Sequence, residues 1–235
     1  MPGAKTTSMV LIMLGLFGAS ISILLGFLWA PTVDEKTALG PEAFRIIYWH
    51  VSFAWCSFLA FSLLFLGSLM WYLKNDDIGW RFFSVGSDMG LLFGMGVITS
   101  GPIWGNAAWN TPWDWGDLRL NSFALLTCVA LFLVLARRAQ QDNNQTRDTL
   151  SIIGLFGFSL VPITAVATTV YQVRHPPIVV VSSENTGLPD EMLFVLLLSF
   201  LSFCLLFIGL SILTDRINQL ELKMEDRQMN LDKRW

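Results

Sequence analysis

The chain contains only two histidines, His50 and His175, and both lie beside stretches of unusual composition. Neutral imidazole is the commonest protein ligand for metals, and two imidazoles can hold a haem iron from its opposite axial sides. A single histidine near a membrane surface is more often a hydrogen-bonding residue than a ligand. Because two histidines lie near one membrane face and none lies elsewhere, we give the metal-ligand and the hydrogen-bonding interpretations about equal weight.

A second feature is a tryptophan-rich segment, residues 100–122, which reads SGPIWGNAAWNTPWDWGDLRLNS. Trp104, Trp109, Trp113 and Trp115 fall within twelve residues. Tryptophans favour the headgroup level of a membrane, but such a belt accounts for one or two per helix end. Four in one segment, interleaved with Gly, Asn, Pro and Asp, predict an outer loop that forms a wall for a flat apolar ligand such as a porphyrin.

Three arginines lie next to these features: Arg45, Arg119 and Arg174. Guanidinium groups pair well with carboxylates, including haem propionates. An isolated arginine in such a loop more often lies near lipid headgroups. These three are candidates for binding a propionate only because each lies beside a histidine or the tryptophan-rich segment.

The elements that position these residues are long apolar runs. Of the whole chain, 54% is hydrophobic and only 14% is charged, and the mean hydropathy is +0.56. Such a balance excludes a disordered chain, a nucleic-acid-binding protein and an ordinary cytosolic enzyme. Each run has the about 20 residues that a membrane-spanning helix needs. The sequence predicts an all-α integral membrane protein, one six-helix domain over residues 1–235, with spans at 8–29, 46–73, 82–101, 119–136, 149–170 and 191–213.

Orientation follows from the lysines and arginines, which favour the cytoplasmic side. With both termini cytoplasmic, eleven of these residues lie inside and four outside. The four outer ones are Lys36, Arg45, Arg119 and Arg174. This topology places both histidines and the tryptophan-rich segment on the outer face, and residues 214–235 in a cytoplasmic tail that could continue the sixth helix.

Enzyme signatures are absent from the sequence. There is no Walker A phosphate-binding pattern and no G-x-S-x-G nucleophile elbow, so we expect neither ATP hydrolysis nor nucleophilic catalysis. Asp88 is the one acid well inside a span. Intramembrane carboxylates are functional candidates by default, but Asp88 is equally consistent with solvation near the cytoplasmic end of its helix, and it stays outside the predicted site.

These residues resemble a known family. The segment 104–120 is similar to the tryptophan-rich "WWD" signature of the haem-handling proteins of cytochrome c biogenesis (the CcmC, CcmF and CcsA types). Residues 45–55, RIIYWHVSFAW, resemble the first histidine segment of the CcmC type, haem exporter protein C. RHPPIVV at 174–180, with GLPDEM at 187–192, is similar to its second histidine loop.

The resemblance implies a haem-delivery protein of a prokaryotic cytoplasmic membrane, without enzymatic activity. Haem b would bind transiently at the outer face, with His50 and His175 as axial ligands of the iron, against the tryptophans. A CcmE-type chaperone would then capture the haem beside CcmA- and CcmB-type subunits of an ABC transporter, with a small CcmD-type membrane subunit as a further partner. Membrane lipid surrounds the chain, and no nucleic acid is expected.

Two departures from the signature are visible. Gly116 separates Trp115 from Asp117, so the signature aspartate is either Asp114 or Asp117; Ser52 stands where relatives often have proline. Two other functions also fit six apolar spans. A haem-bearing electron-transfer subunit would need histidines on facing helices, and a small-solute permease would need polar residues near the midplane.

Overall fold

The computed structural model describes residues 2–33, 40–170 and 188–232. Within these ranges every regular element is helical, as the sequence predicts. The α-helices are α1 (Pro2–Leu28), α2 (Ile47–Lys74), α3 (Asp77–Trp109), α4 (Leu118–Ala139), α5 (Asn144–Phe158), α6 (Leu160–Val170) and α7 (Asp190–Asp232), and a 3₁₀ helix (Pro41–Ile46) precedes α2.

Six helical segments are long and apolar enough to cross a membrane, which confirms the predicted number of spans. The chain is therefore a multi-pass membrane protein. Its fifth span consists of α5 and α6, which are separated at Ser159. Pro162 accounts for this break, because proline lacks the N–H that would bond to the Phe158 carbonyl and its ring crowds that oxygen.

The last helix is much longer than a membrane span requires. Its 43 residues extend about 65 Å at about 1.5 Å per residue, roughly twice the thickness of the hydrocarbon core. The tail at 214–232 thus continues the sixth span as one helix, as the sequence allowed.

Polar residues set the helix ends around the short connections. Asn75 and Asn110 adopt left-handed backbone conformations, with φ of 49° and 53°, at the ends of α2 and α3. The side chains of Asp76, Asp117 and Asn143 cap the next three helices by accepting backbone N–H bonds. Asparagine tolerates the left-handed region, and Asp and Asn are favoured caps, so these ends are locally encoded.

The tryptophan-rich segment differs from the predicted loop. Residues 100–109 form the last turns of α3, and residues 118–122 begin α4, so the connection itself covers only residues 110–117. Trp104 and Trp109 are therefore helical. The helix continues past the predicted end at residue 101, with Pro102 inside it, and ends where Asn110 adopts the left-handed conformation.

The first and last helices pack antiparallel. Gly209 lies against Ile12, whereas Gly26 lies close to Val195, so the start of α1 is beside the second half of α7. One end of the bundle therefore carries the start of α1 and the long extension of α7; we call it the terminal end. The other end, where α1 and α3 finish and α2, α4 and α7 begin, we call the site end.

Close approach of α2 and α3 depends on glycines. A Cβ atom added at Gly67 would lie 2.2 Å from the Phe83 backbone nitrogen, and one added at Gly86 would lie 2.4 Å from the Leu64 nitrogen. Small residues at such interfaces allow backbones to touch, which drives helix association within a membrane. This pairing fixes the register between α2, which carries His50, and α3, which carries Trp104.

We expect Gly67→Ala to destabilise the fold, because its methyl group would meet backbone and can be accommodated only by separating the two helices. Overpacking of this kind costs about 1–3 kcal/mol. The midpoint of unfolding in detergent measures it. Gly90→Ala is the matched control, since its Cβ would lie 3.1 Å from the edge of the Phe61 ring. Equal midpoints for both variants would contradict the packing role.

Candidate functional site

His50 lies at the start of α2, at the site end, and is half-buried against α3. Its Nδ1 atom is 2.8 Å from the hydroxyl oxygen of Ser100. Its ring meets the ring of Trp104 edge to face, with centroids 5.4 Å apart and planes at 73°. The structure therefore brings together the first predicted histidine and the first tryptophan of the rich segment, which are 54 positions apart in the chain.

Trp104 is the buried centre of an aromatic cluster. It is only 4% exposed, and its ring contacts Phe44 at 5.2 Å and Trp109 at 5.6 Å between centroids. Its indole Nε1 is buried and has no hydrogen-bond partner among the described residues. A buried N–H without an acceptor costs about 1–3 kcal/mol, so this donor is unsatisfied within the described part of the chain.

On the α3 side, a glycine borders the imidazole of His50. A Cβ atom added at Gly101 would meet, among the described side chains and backbone, only the Cε1 atom of His50, at 3.4 Å. Glycine at this position thus keeps the edge of the imidazole between its two nitrogens uncovered by α3. Within the described residues, no three His, Cys, Asp or Glu side chains lie close enough together to hold a metal ion. This part of the chain therefore offers no site for a bare ion.

The other two tryptophans form a separate pair in the 110–117 connection. The rings of Trp113 and Trp115 are 5.8 Å apart, and Trp115 is 84% exposed. A protruding indole at the site end suits contact with lipid headgroups or with another protein. The four predicted tryptophans thus form two pairs, of which the pair Trp104–Trp109 adjoins His50.

One side chain, Asn121, holds this connection in shape. Its Nδ2 donates to the carbonyl oxygens of Trp115 at 2.9 Å and Asp117 at 2.7 Å, and more weakly to that of Asp114 at 3.4 Å. Its Oδ1 accepts the Trp113 indole N–H at 3.3 Å. Asn121 therefore joins residues 113–117 of the connection to the first turns of α4.

We expect Asn121→Ala to loosen residues 110–117 without unfolding the bundle. Loss of these bonds should reduce local stability by about 1–3 kcal/mol, which raises amide hydrogen exchange in this segment about 10- to 100-fold. Exchange in α2 should stay unchanged. Asn106→Ala, at an exposed position on α3, is the control. If both variants exchange like the wild type, Asn121 does not organise the connection.

Both candidate signature aspartates have local structural contacts. Asp117 caps α4 by accepting the Leu120 N–H at 3.0 Å. Asp114 accepts the Gly116 N–H at 2.9 Å, and its carbonyl accepts the Asp117 N–H at 3.1 Å. Each carboxylate shapes the tryptophan-rich connection, and these contacts do not distinguish which of the two is the signature acid.

The predicted arginines have different surroundings. Arg45 is buried, and its Nη1 donates to the Gly26 carbonyl and, at 2.8 Å, to the Ala30 carbonyl, while its Nε pairs with Glu42 at 2.7 Å. These bonds fasten the end of α1 to the 3₁₀ helix. Arg119 is half-buried in the first turn of α4, within electrostatic range of Asp117.

Arg174 and His175 lie outside the described residues. The chain reaches their segment from α6 and leaves it into α7. Thr164 of α6 bonds Ser122 at the start of α4 at 2.8 Å, and Met192 and Val195 of α7 belong to the apolar cluster of Trp104. The helices on both sides of residues 171–187 therefore adjoin the site end, where His50 lies.

Sequence reasoning missed three contributors to this site: Ser100, Asn121 and Phe44. A serine inside an apolar helix has many structural uses, so its partnership with His50 depends on the register of α2 and α3. Asn121 lies in the tryptophan-rich segment, two residues after the predicted start of the fourth span. That position near a helix start was the one signal that could have pointed to it. Phe44 is one of 18 phenylalanines and carries no signal of its own.

Comparisons with known proteins cover nearly the whole chain. The family model described as "Heme exporter protein C" matches residues 3–230. Heme exporter protein C of Bradyrhizobium diazoefficiens is 27% identical over 203 residues, which cover 83% of this chain and 76% of that protein. A ccmC-like mitochondrial protein of cytochrome c biosynthesis from Marchantia polymorpha is 29% identical over 190 residues, covering 77% and 80% respectively. The corresponding protein of Arabidopsis thaliana is 28% identical over 211 residues, covering 87% and 78%.

Proposed function

The chain belongs to the haem exporter protein C family, and we propose that it holds haem at the site end of its bundle for delivery to a haem chaperone. Membership supports a role in cytochrome c maturation. The finer steps that we propose are binding through His50 and His175, and handover to a membrane-anchored acceptor.

The observation that carries the proposal is the contact of His50 with Trp104 beside Gly101. An imidazole supplies an axial ligand, and a neighbouring indole supplies a flat apolar face and one donor. The unpartnered Nε1 of Trp104 fits this chemistry, because a haem carboxylate or other acceptor would satisfy it.

His175 is the proposed second axial ligand, and its assignment comes from the sequence and from the chain's connectivity. The helices that flank residues 171–187 adjoin the site end of the bundle, the end at which His50 lies. With Arg174 beside it, the segment also brings a guanidinium group suited to a propionate. Arg119 is a further candidate for that role, whereas Arg45 would have to use donors beyond its Nε and Nη1 atoms.

The remaining predicted contacts concern the tryptophan-rich segment. Trp104 and Trp109 would line the cargo next to His50, and Trp113 and Trp115 would cover it from the connection or meet the acceptor. Asp114 or Asp117 would keep that connection in shape, as their backbone hydrogen bonds support. Holding and transfer need no bond-making catalysis by this chain, so we propose that it is not an enzyme.

The cargo, partners and location of the proposed function follow the family. The cargo is haem b, which is bound only in transit. The acceptor is a CcmE-type chaperone, and the chain works beside CcmA- and CcmB-type ABC transporter subunits and a small CcmD-type subunit. We place the protein in a prokaryotic cytoplasmic membrane with the site end on the outer face, because the lysines and arginines favour that orientation.

A transfer assay tests the proposal. The purified protein is loaded with haem in detergent and mixed with a haem-free CcmE-type chaperone, and the chaperone's absorption spectrum is followed. We expect transfer from the loaded protein to be at least about 10-fold faster than transfer from haem in empty micelles. Equal rates from both donors would overturn the delivery function. A permanently bound haem that never transfers would instead favour an electron-transfer subunit.

A further inference from the structure

The hydroxyl group of Ser100 has one proton, and its neighbours determine where that proton points. The Ser100 oxygen is 2.6 Å from the carbonyl oxygen of Gly96, one turn earlier in α3, and 3.4 Å from that of Val97. Two atoms compete to accept the serine proton, the Gly96 carbonyl oxygen and, when it is unprotonated, Nδ1 of His50. The carbonyl oxygen is the closer, at 2.6 Å against 2.8 Å, which favours donation to Gly96. The serine oxygen is then left with lone pairs, which act only as acceptors.

With the serine proton on the Gly96 carbonyl, His50 is the donor in its contact with Ser100. The distance from its Nδ1 to the serine oxygen is 2.8 Å, which is a good hydrogen bond. A neutral imidazole carries its single proton on one nitrogen and a lone pair on the other. With the proton on Nδ1, the lone pair lies on Nε2, the nitrogen that is free of Ser100.

We propose that Ser100 is a positioning residue that fixes this tautomer of His50 and so makes Nε2 the atom that binds the haem iron. This inference rests on the proposed function, since it deepens the role of His50 as axial ligand. A metal-binding histidine commonly donates its second N–H to an acceptor, which fixes the ring and raises the basicity of the ligand. Here the acceptor is a serine that is itself oriented by backbone.

The surroundings support a fixed imidazole ring. Ser100 is only 8% exposed, so water competes little for the hydrogen bond. The edge-to-face contact with Trp104 limits rotation of the ring about its side-chain bond, from a direction different from that of Ser100. Ser100 and Trp104, four residues apart on α3, therefore both hold the ring, and Gly101 between them adds no side chain against it.

The first test needs no haem. The apoprotein is labelled with ¹⁵N-histidine, and NMR at alkaline pH reports which ring nitrogen carries the proton. The chain has only two histidines, so a His175→Ala sample identifies the signals of His50. We expect the Nδ1-protonated tautomer in the wild type and in Ser100→Thr, and a shift toward the Nε2-protonated tautomer in Ser100→Ala.

Thr99→Ala is the matched control. Thr99 is the neighbouring residue on α3, and its hydroxyl is bonded to the Met95 carbonyl at 2.7 Å. This variant removes a hydroxyl from the same turn and should leave the His50 signals unchanged. A wild-type His50 that carries its proton on Nε2, or a Ser100→Ala spectrum identical to that of the wild type, would overturn the inference.

The second test uses the haem-loaded protein. Ser100→Ala should release haem about 10-fold faster, in line with the loss of an outer-shell partner, and should shift the reduction potential of the bound haem to a more positive value. Ser100→Thr should restore both. If Ser100 had a purely structural role, its replacement would not change the haem release rate and the reduction potential together.

The two proposals fail differently. If His50→Ala binds haem as the wild type does, the proposed function is wrong at its central ligand. If His50→Ala loses haem while Ser100→Ala keeps both the release rate and the potential of the wild type, only the inference about Ser100 is overturned.

Discussion

His50→Ala should weaken haem binding at least about 100-fold, or about 2.7 kcal/mol, because it removes one of two axial bonds to the iron. Titration of the purified protein with haem, followed by absorption, measures the affinity. The substituted position leaves a gap between Ser100 and Trp104, at the start of α2. Free imidazole added to this variant should enter the gap and restore part of the binding.

Asn106→Ala is the control for this loss. It changes an exposed polar side chain on α3 at the same end of the bundle and should bind haem as the wild type does. An unchanged affinity in His50→Ala, with the fold intact, would remove His50 from the site.

Asp88→Ala should give the largest loss of stability. The Asp88 carboxylate is bound by Arg137 Nη2 at 2.8 Å to each oxygen, and Asn218 adds a bond at 3.3 Å. Both charged side chains are nearly buried, at 10% and 13% exposure. Removal of the carboxylate leaves the guanidinium group buried without its counter-ion, which costs about 3–5 kcal/mol. The unfolding free energy in detergent is the measurement.

A half-exposed ion pair provides the comparison. Arg81 and Asp215 are 2.6 Å apart, but the arginine side chain is 49% exposed. Asp215→Ala should therefore cost no more than about 1 kcal/mol. Replacing both Asp88 and Arg137 by leucine should recover most of the lost stability. Similar losses in Asp88→Ala and Asp215→Ala would contradict the buried role.

This ion pair lies at the terminal end, far from His50. Arg137 and Arg138 line a cavity of about 530 Å³ there, and Asp88 joins α3 to α4 and, through Asn218, to α7. The contacts favour a structural role for Asp88. Asp88→Ala should accordingly leave the haem affinity of the folded protein unchanged.

The sequence could predict the fold because length and hydropathy alone define spanning helices. Six spans are found where six apolar runs were expected. Helix ends were harder, since they depend on single residues such as Asn110 and Asp117, whose conformation and hydrogen bonds end α3 and begin α4. Because the tryptophan-rich segment is partly polar, the sequence predicts one long loop. In the structure, its first ten residues form the last turns of α3.

The candidate site was predictable to the level of which elements meet. Topology alone placed His50 and the tryptophan-rich segment on one face, and the contact of His50 with Trp104 agrees with that. The partnership of Ser100 with His50 could not be predicted, because it depends on the register of α2 against α3. That register is set by glycine contacts at Gly67 and Gly86, which single-helix patterns do not encode.

The surroundings of Arg45 depend on packing that the sequence pattern does not encode. Arg45 was a candidate for a propionate because it lies near His50 in the chain. In the structure its guanidinium group bonds the last carbonyls of α1 and the Glu42 carboxylate. A buried arginine satisfies unpaired carbonyl oxygens at a helix end as readily as it binds a ligand, and only the packing distinguishes these uses.

The central claim is that haem is held by two axial histidines at the site end. The most direct test is the absorption and EPR spectrum of ferric haem bound to the wild type, beside that of His175→Ala. We expect a six-coordinate low-spin spectrum in the wild type and a five-coordinate high-spin spectrum, or loss of haem, in the variant. Identical low-spin spectra from both proteins would show that the second axial ligand is not His175 and would contradict the account.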